Sequence, residues 1–193
     1  SAVVPGNFCA NALTGGWRVG LSVSGPSGIA SGYGKHWSGR YHMDESALAF
    51  FAASAVLAYK VNDKLSLAAG PYGMYVDSNI ETRINNLLPD YPDGRVQLEE
   101  EGAALGITLG SVYPFPDATR VGVTYRSELK PDLEGTPSFH NIDPLLRETL
   151  AAAHLLGTEV DVDFVIPAQL QAGYYTEFSE RWSMTGDLMW IDM

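Results

Sequence analysis

Residues 120–130 read RVGVTYRSELK. The odd positions are Val121, Val123, Tyr125, Ser127 and Leu129; the even ones are Arg120, Gly122, Thr124, Arg126, Glu128 and Lys130. Successive side chains of a strand point to opposite faces, so this strand has one apolar face and one charged face. It is built to stand between two different solvents. Trp17–Ser24 repeats the pattern, with Trp17, Val19, Leu21 and Val23 set against Arg18, Gly20, Ser22 and Ser24. So does Trp182–Trp190, and Ile166–Tyr174 places Gln169 and Gln171 opposite apolar neighbours. In Ala103–Tyr113 the second face is small, with Ala104, Gly106, Thr108 and Gly110, which suggests room for a ligand.

Working outward, the alternation predicts about eight strands. They lie near Val3–Leu13, Trp17–Ser31, Ser46–Val61, Lys64–Ile80, Gln97–Tyr113, Thr119–Asp132, Val160–Thr176 and Arg181–Met193. Several exceed the ~5–6 residues usual in soluble sheets. Their connections alternate in length. Short turns fall at Thr14–Gly16, Asn62–Asp63, Pro114–Asp117 and Ser179–Glu180; long ones at Gly32–Glu45, Asn85–Arg95 and Leu133–Glu159. Short turns at one end and long loops at the other are the habit of outer-membrane barrels. Trp17, Tyr59, Tyr113 and Trp182 flank the short turns, and Tyr33, Trp37, Tyr41 and Tyr75 stand near the long loops. Amphipathic rings favour the two membrane interfaces.

In the last long loop a helix is expected. Asp143 can cap it, Pro144 suits its first position, and Gly157 can end it. Leu145, Leu146, Leu150, Leu155 and Leu156 give it an apolar surface, for docking a ligand or for packing on the rim.

Composition agrees with a barrel and excludes other classes. The chain has 193 residues and a net charge of −11, with no basic stripe for nucleic acid. Mean hydropathy is near zero. The longest apolar run, Ala47–Tyr59, is too short for a membrane-spanning helix, but a tilted strand needs only about 9–11 residues. Cys9 is the only cysteine, so no intrachain disulfide forms. Ser1–Val3 has neither the basic nor the apolar part of a signal peptide; either processing removed one, or the chain begins inside a larger protein. His36 and His42 lie at no usual zinc spacing, and Glu99–Glu101 reads as solvated charge. No catalytic constellation can be picked, so an enzyme is not expected, and no cofactor is called for.

Four stretches together resemble the FadL/TodX family of outer-membrane transporters. These are WRVGLSVSGPSG at 17–28, AYKVNDKLSLAA at 58–69, TRVGVTYRSELKPDLEG at 119–135, and 166–190, ending in RWSMTGDLMW. The resemblance implies an all-β fold, a transmembrane antiparallel β-barrel of fourteen strands plugged by an N-terminal hatch. Residues 1–193 then form a single domain similar to the family's second to ninth strands, without hatch, first strand or C-terminal strands. It implies uptake of hydrophobic small molecules, long-chain fatty acids or hydrocarbons, across the bacterial outer membrane. The partners are that ligand and outer-membrane lipid, and a monomer is expected.

By the same resemblance, ligand is caught between two extracellular loops matching Arg83–Arg95 and Leu133–Glu159. These offer Ile84, Leu87, Leu88, Leu146 and Leu150, with Arg83 near a basic position that would suit a fatty carboxylate. Packing between the loops is the rival reading of the same residues. The ligand then leaves sideways at an inward kink matching Gly25, Pro26 and Gly28. The residues fit a break independently, since proline cannot donate to a ladder and glycine permits unusual backbone angles. Two alternatives stay open: a complete eight-stranded outer-membrane barrel with a structural or adhesive role, and a soluble β-rich binding domain.

Overall fold

A computed structural model describes residues 6–34, 36–115 and 118–192. Eight long strands follow one another as antiparallel neighbours: β1 (Gly6–Ala12), β2 (Trp17–Gly32), β3 (Glu45–Asn62), β4 (Leu65–Ile84), β5 (Gly94–Phe115), β6 (Thr119–Arg126), β10 (Gln169–Ser179) and β11 (Trp182–Ile191). Between β6 and β10 lie three short strands, β7 (Asp132–Gly135), β8 (Ser138–His140) and β9 (Val160–Asp163), and one helix, α1 (Pro144–Ala152). β7 pairs with β5 and β9, and β8 pairs with β5.

The register brings the expected faces together. Val121, Val123 and Tyr125 stand beside Tyr113, Ser111 and Leu109 of β5, and beside Tyr174, Ala172 and Leu170 of β10. This face is exposed: Leu105 is 84% accessible and Leu188 74%. A soluble sandwich would bury its apolar strand faces. Here the buried hydrophobic residues are few and lie elsewhere, so the apolar face is made for lipid. From Ala103 to Tyr113 the outer face of β5 covers about 25 Å at a barrel-like tilt of ~40°, the height of a transmembrane band. Trp17 packs on Tyr59 at the short-turn end (ring centroids 4.6 Å apart), and Phe51 lies near Tyr75 at the other (6.4 Å). Beyond Tyr75 the same face turns acidic, with Asp77 across from Glu101 and Glu101 across from Glu134. The Tyr75 hydroxyl donates to Glu101 at 2.5 Å.

The sheet is open: among the described residues β1 and β11 are its two ends and do not pair. A complete eight-stranded barrel is therefore not what this chain forms. All four short connections lie at one end and all three long ones at the other, as expected. Gly15 and Gly16 take positive φ in the first short turn, where other residues would be strained. Residues 3–5, 116, 117 and 193 of the expected strands and turns lie outside the described residues.

Some limits differ from expectation. β4 and β5 run on to Ile84 and back to Gly94, so their hairpin stands above the apolar band. α1 ends at Ala152, with His154 rather than Gly157 taking the left-handed conformation just past its end; Gly157 has positive φ further on.

The larger difference is that neither the Thr119–Asp132 strand nor the Val160–Thr176 strand is continuous. The first breaks at 127–131 and the second at 164–168, on the same level. The two breaks are joined by one bridge in which Leu129 and Ile166 exchange both backbone hydrogen bonds (2.9 and 2.8 Å). Pro131 and Pro167 have no N–H to give a ladder. Both segments turn inward. Leu129 is 2% accessible, and a side chain at Gly106 of β5 would collide with Leu129 Cδ2 (2.7 Å) and with Ser127. A side chain at Gly102 would likewise meet Leu133 Cδ2 (2.7 Å). The small face of β5 thus seats this excursion at Gly106 and the start of β7 at Gly102, and its lower part, at Gly110, leaves space.

Gly106→Leu is expected to expel Leu129 and loosen the excursion, with a loss of about 1–3 kcal/mol. Denaturant unfolding in detergent, followed by tryptophan fluorescence, would measure it.

Candidate functional site

Three long loops meet at one end of the sheet, and ionic and polar contacts hold them there. Arg40 pairs with Asp93 at 2.7 Å, and the Tyr41 hydroxyl donates to the same carboxylate at 2.8 Å. These bonds hold the Asp93 carboxyl below the usual carboxylate range, the Arg40 hydrogen bond first. Arg83 pairs with Asp44 at 2.6 Å and with Glu81 at 3.3 Å, its side chain mostly covered. A ligand carboxylate at Arg83 would compete with two resident carboxylates.

Asp143 is the centre of the cluster. It is fully buried. One oxygen accepts the Leu146 N–H (2.8 Å) and caps α1; the other accepts Leu87 N–H (2.6 Å) and Leu88 N–H (3.2 Å) from the opposite loop. Its own N–H donates to Asn86 Oδ1 (2.8 Å), and Asn86 Nδ2 donates to the carbonyls of Pro92 and Asn141. Burial by itself would raise the carboxyl, but the backbone donors outweigh it and hold it below its ordinary value.

The loop residues singled out from the sequence divide into two groups. Leu146 and Leu150 are buried with Ile142, and Ile84, Phe139 and Leu156 pack against them. They form the floor that joins the loops. Leu87 and Leu88 stay exposed (52% and 37%), as do Tyr91, Leu145 and Leu155.

Below the loops the inner face of the sheet holds a cavity of about 340 Å³, lined among others by Val56, Ala58, Ala68, Thr108, Gly110 and Gly122; none of its lining residues is charged. Arg126 also faces inward, across from Thr108 and Gln169. Lys130 pairs with Glu128 at 2.8 Å.

Gly25, Pro26 and Gly28 lie within β2, which continues to Gly32 and remains paired with β3. Ser24 faces Ala52, and Ser27 faces Phe50. Three steps on β2 therefore span two on β3, which is a β-bulge with one extra residue at Gly25–Pro26. Gly6, the first described residue of β1, lies across from Ser24. At the level of the bulge the outer face of β3 carries Phe51, at the upper edge of the apolar band.

The sequence marked the bulge and the loop apolar residues. It did not single out Asn86 or the clamp that Asp143 makes with Leu87 and Leu88. The prolines at 131 and 167, inside expected strands, were the available signal for the inward breaks.

Residues 1–193 match the family described as outer membrane protein transport protein (OMPP1/FadL/TodX), and the chain belongs to it. The family is one of outer-membrane transport proteins, which puts the chain in the bacterial outer membrane. No curated protein matches the chain. Among solved structures, a FadL homologue of Pseudomonas aeruginosa aligns with TM-score 0.81 at 18% identity, over 96% of this chain and 48% of the other. The toluene transporter TodX of Pseudomonas putida aligns at 0.62 and 19%, over 96% and 58%. The CymD monoaromatic hydrocarbon channel aligns at 0.64 and 15%, over 97% and 57%. The chain spans about half the length of these structures.

Because the Asp143 carboxyl is held low, its stabilisation of the loops is complete above ~3.9 and is lost as pH falls through the lower folded value. Asp143→Ala removes it at every pH. Hydrogen exchange at Leu87, Leu88 and Leu146 is expected to speed up about tenfold in this variant. The unsubstituted protein should show the same loss only at pH below the usual carboxylate value.

Proposed function

We propose that the protein carrying this chain is a channel for hydrophobic small molecules, which releases them sideways into the outer membrane at the β2 bulge. The bulge is the observation that carries this reading. A regular strand seals the wall with an unbroken ladder; here one extra residue, with a proline beside it, shifts the register at the top of the lipid-facing band. Backbone left without a ladder partner is tolerated in a membrane only where protein or a cavity covers it, so a break there belongs to a passage.

Capture falls to the loop surface. Leu87, Leu88, Tyr91, Leu145 and Leu155 offer apolar area, while Ile84, Leu146 and Leu150 beneath keep the two loops together. Transit follows the inner face past the uncharged cavity. Two features favour a neutral hydrocarbon over a fatty acid: the cavity lining has no cation, and Arg83 is already paired twice. The similar structures include a toluene transporter and a monoaromatic hydrocarbon channel, which support that class. Diffusion down a gradient through such a path needs no cofactor.

Deleting Pro26 restores an even count between Ser24 and Ser27 without adding bulk. In the full-length protein this deletion is expected to lower uptake at least about tenfold while leaving ligand binding in place. Unchanged uptake would refute the lateral exit. For the substrate class, radiolabelled palmitate and toluene should be bound in competition to the detergent-solubilised protein. Tight toluene binding that palmitate displaces poorly is the expected result, and the reverse order would favour fatty acids.

A further inference from the structure

The inward excursion at 127–131 and 164–168 carries one side chain to the far side of the sheet. Phe164 follows β9, whose neighbour β7 lies next to β5. Its ring nevertheless lies 5.9 Å from that of Phe50 on β3, tilted by 36°. In the sheet order β4, β5 and β7 stand between them. Four strand spacings measure about 19 Å along a flat sheet, so the contact is a chord across the curled inner face.

Phe50 is the residue directly across from Ser27, at the upper end of the bulge. Across from Phe50 on its other side is Val76, which is completely buried, and the Tyr72 hydroxyl nearby holds the Ser127 carbonyl at 3.1 Å. We propose that Phe50 and Phe164 form an aromatic gate on the inner side of the β2 bulge, and that the inward excursion exists to hold it. This rests on reading the bulge as the exit.

The two halves of the gate are mounted differently. Phe50 sits in the middle of β3, paired on both sides. Phe164 opens residues 164–168, which lie outside the strands and are tied by the bridge at Ile166, with proline next to it, and by the Asp192 N–H to the Ala168 carbonyl (3.1 Å). Val76 and Leu129 are buried and fixed, whereas Phe50 and Phe164 are only half-buried. A ring on a loosely tied segment meeting a ring on a fixed strand can part for an apolar ligand and close behind it. Both faces offer π surface, which suits flat hydrocarbon guests.

The test uses the full-length protein. Phe164→Ala and Phe50→Ala should each change uptake of toluene about two- to tenfold upward, the size expected from one aromatic pair, and the double variant should add little more. Phe164→Trp should slow uptake by a similar factor. Equilibrium binding should move less than the rates in all four. Rates that ignore Phe164, or single effects that simply add, would overturn the gate. The Pro26 deletion separates the two readings. If it blocks uptake while the phenylalanine variants do nothing, the exit stands and the gate falls; if it leaves uptake intact, the exit falls first. Phe164→Leu keeps the apolar volume and shows whether loss of the ring, rather than a collapsed excursion, produces the effect.

Discussion

A backbone in hydrocarbon has no water to bond with, so every N–H and C=O at that depth needs a protein partner. Most of what this chain does follows from that constraint. Eight long strands satisfy it by pairing in chain order, and their outer face is free to be largely apolar because the ladders take up the backbone groups. Where the pairing is broken, the chain must place the freed groups somewhere other than lipid. It does so at the extra residue of β2 and at the double break below β7 and β9. In the second case the strands turn inward, and the bridge between Leu129 and Ile166, with Ser127 bonded back to Ile107, takes up part of the lost ladder.

Interior space follows from the same breaks. The inward segment and the strand that follows it need room against β5, and Gly106 and Gly102 provide it, since a side chain at Gly106 would overlap Leu129 and one at Gly102 would overlap the start of β7. The cavity that remains lies lower, over Gly110 and Gly122, where the strands are regular and the side chains small. The wall of the sheet and the filling of its inner face are thus set by the same alternation of small and large residues.

At the loop end the physics changes from hydrocarbon to water, and charge becomes useful. Arg40 and Asp93 join neighbouring loops through a partly covered pair, worth little by itself, and Arg83 and Asp44 through a largely buried one. The buried Asp143 carboxylate carries more of the order, because it satisfies three backbone donors from two loops. The apolar floor of Ile142, Leu146 and Leu150 closes behind it. A loop surface built this way has a buried base and exposed leucines on top.

The sequence alone determined the period-two faces, the eight long strands, the asymmetry of turn and loop lengths, the cap at Asp143 and the disturbed ladder at Gly25–Pro26. All of these are local: they depend on residues a few positions apart, or on proline's missing N–H. Only the tertiary structure decided that the sheet is open, and that Leu146 and Leu150 are floor rather than surface. It also decided that Arg83 is already paired, that Gly106 makes room for Leu129 rather than for ligand, and that Phe164 reaches Phe50. Each of those depends on which distant segment arrives at a given face. Alternation fixes the side of the sheet on which a residue stands, but the curl of the sheet and the fold of the long loop choose its neighbour there.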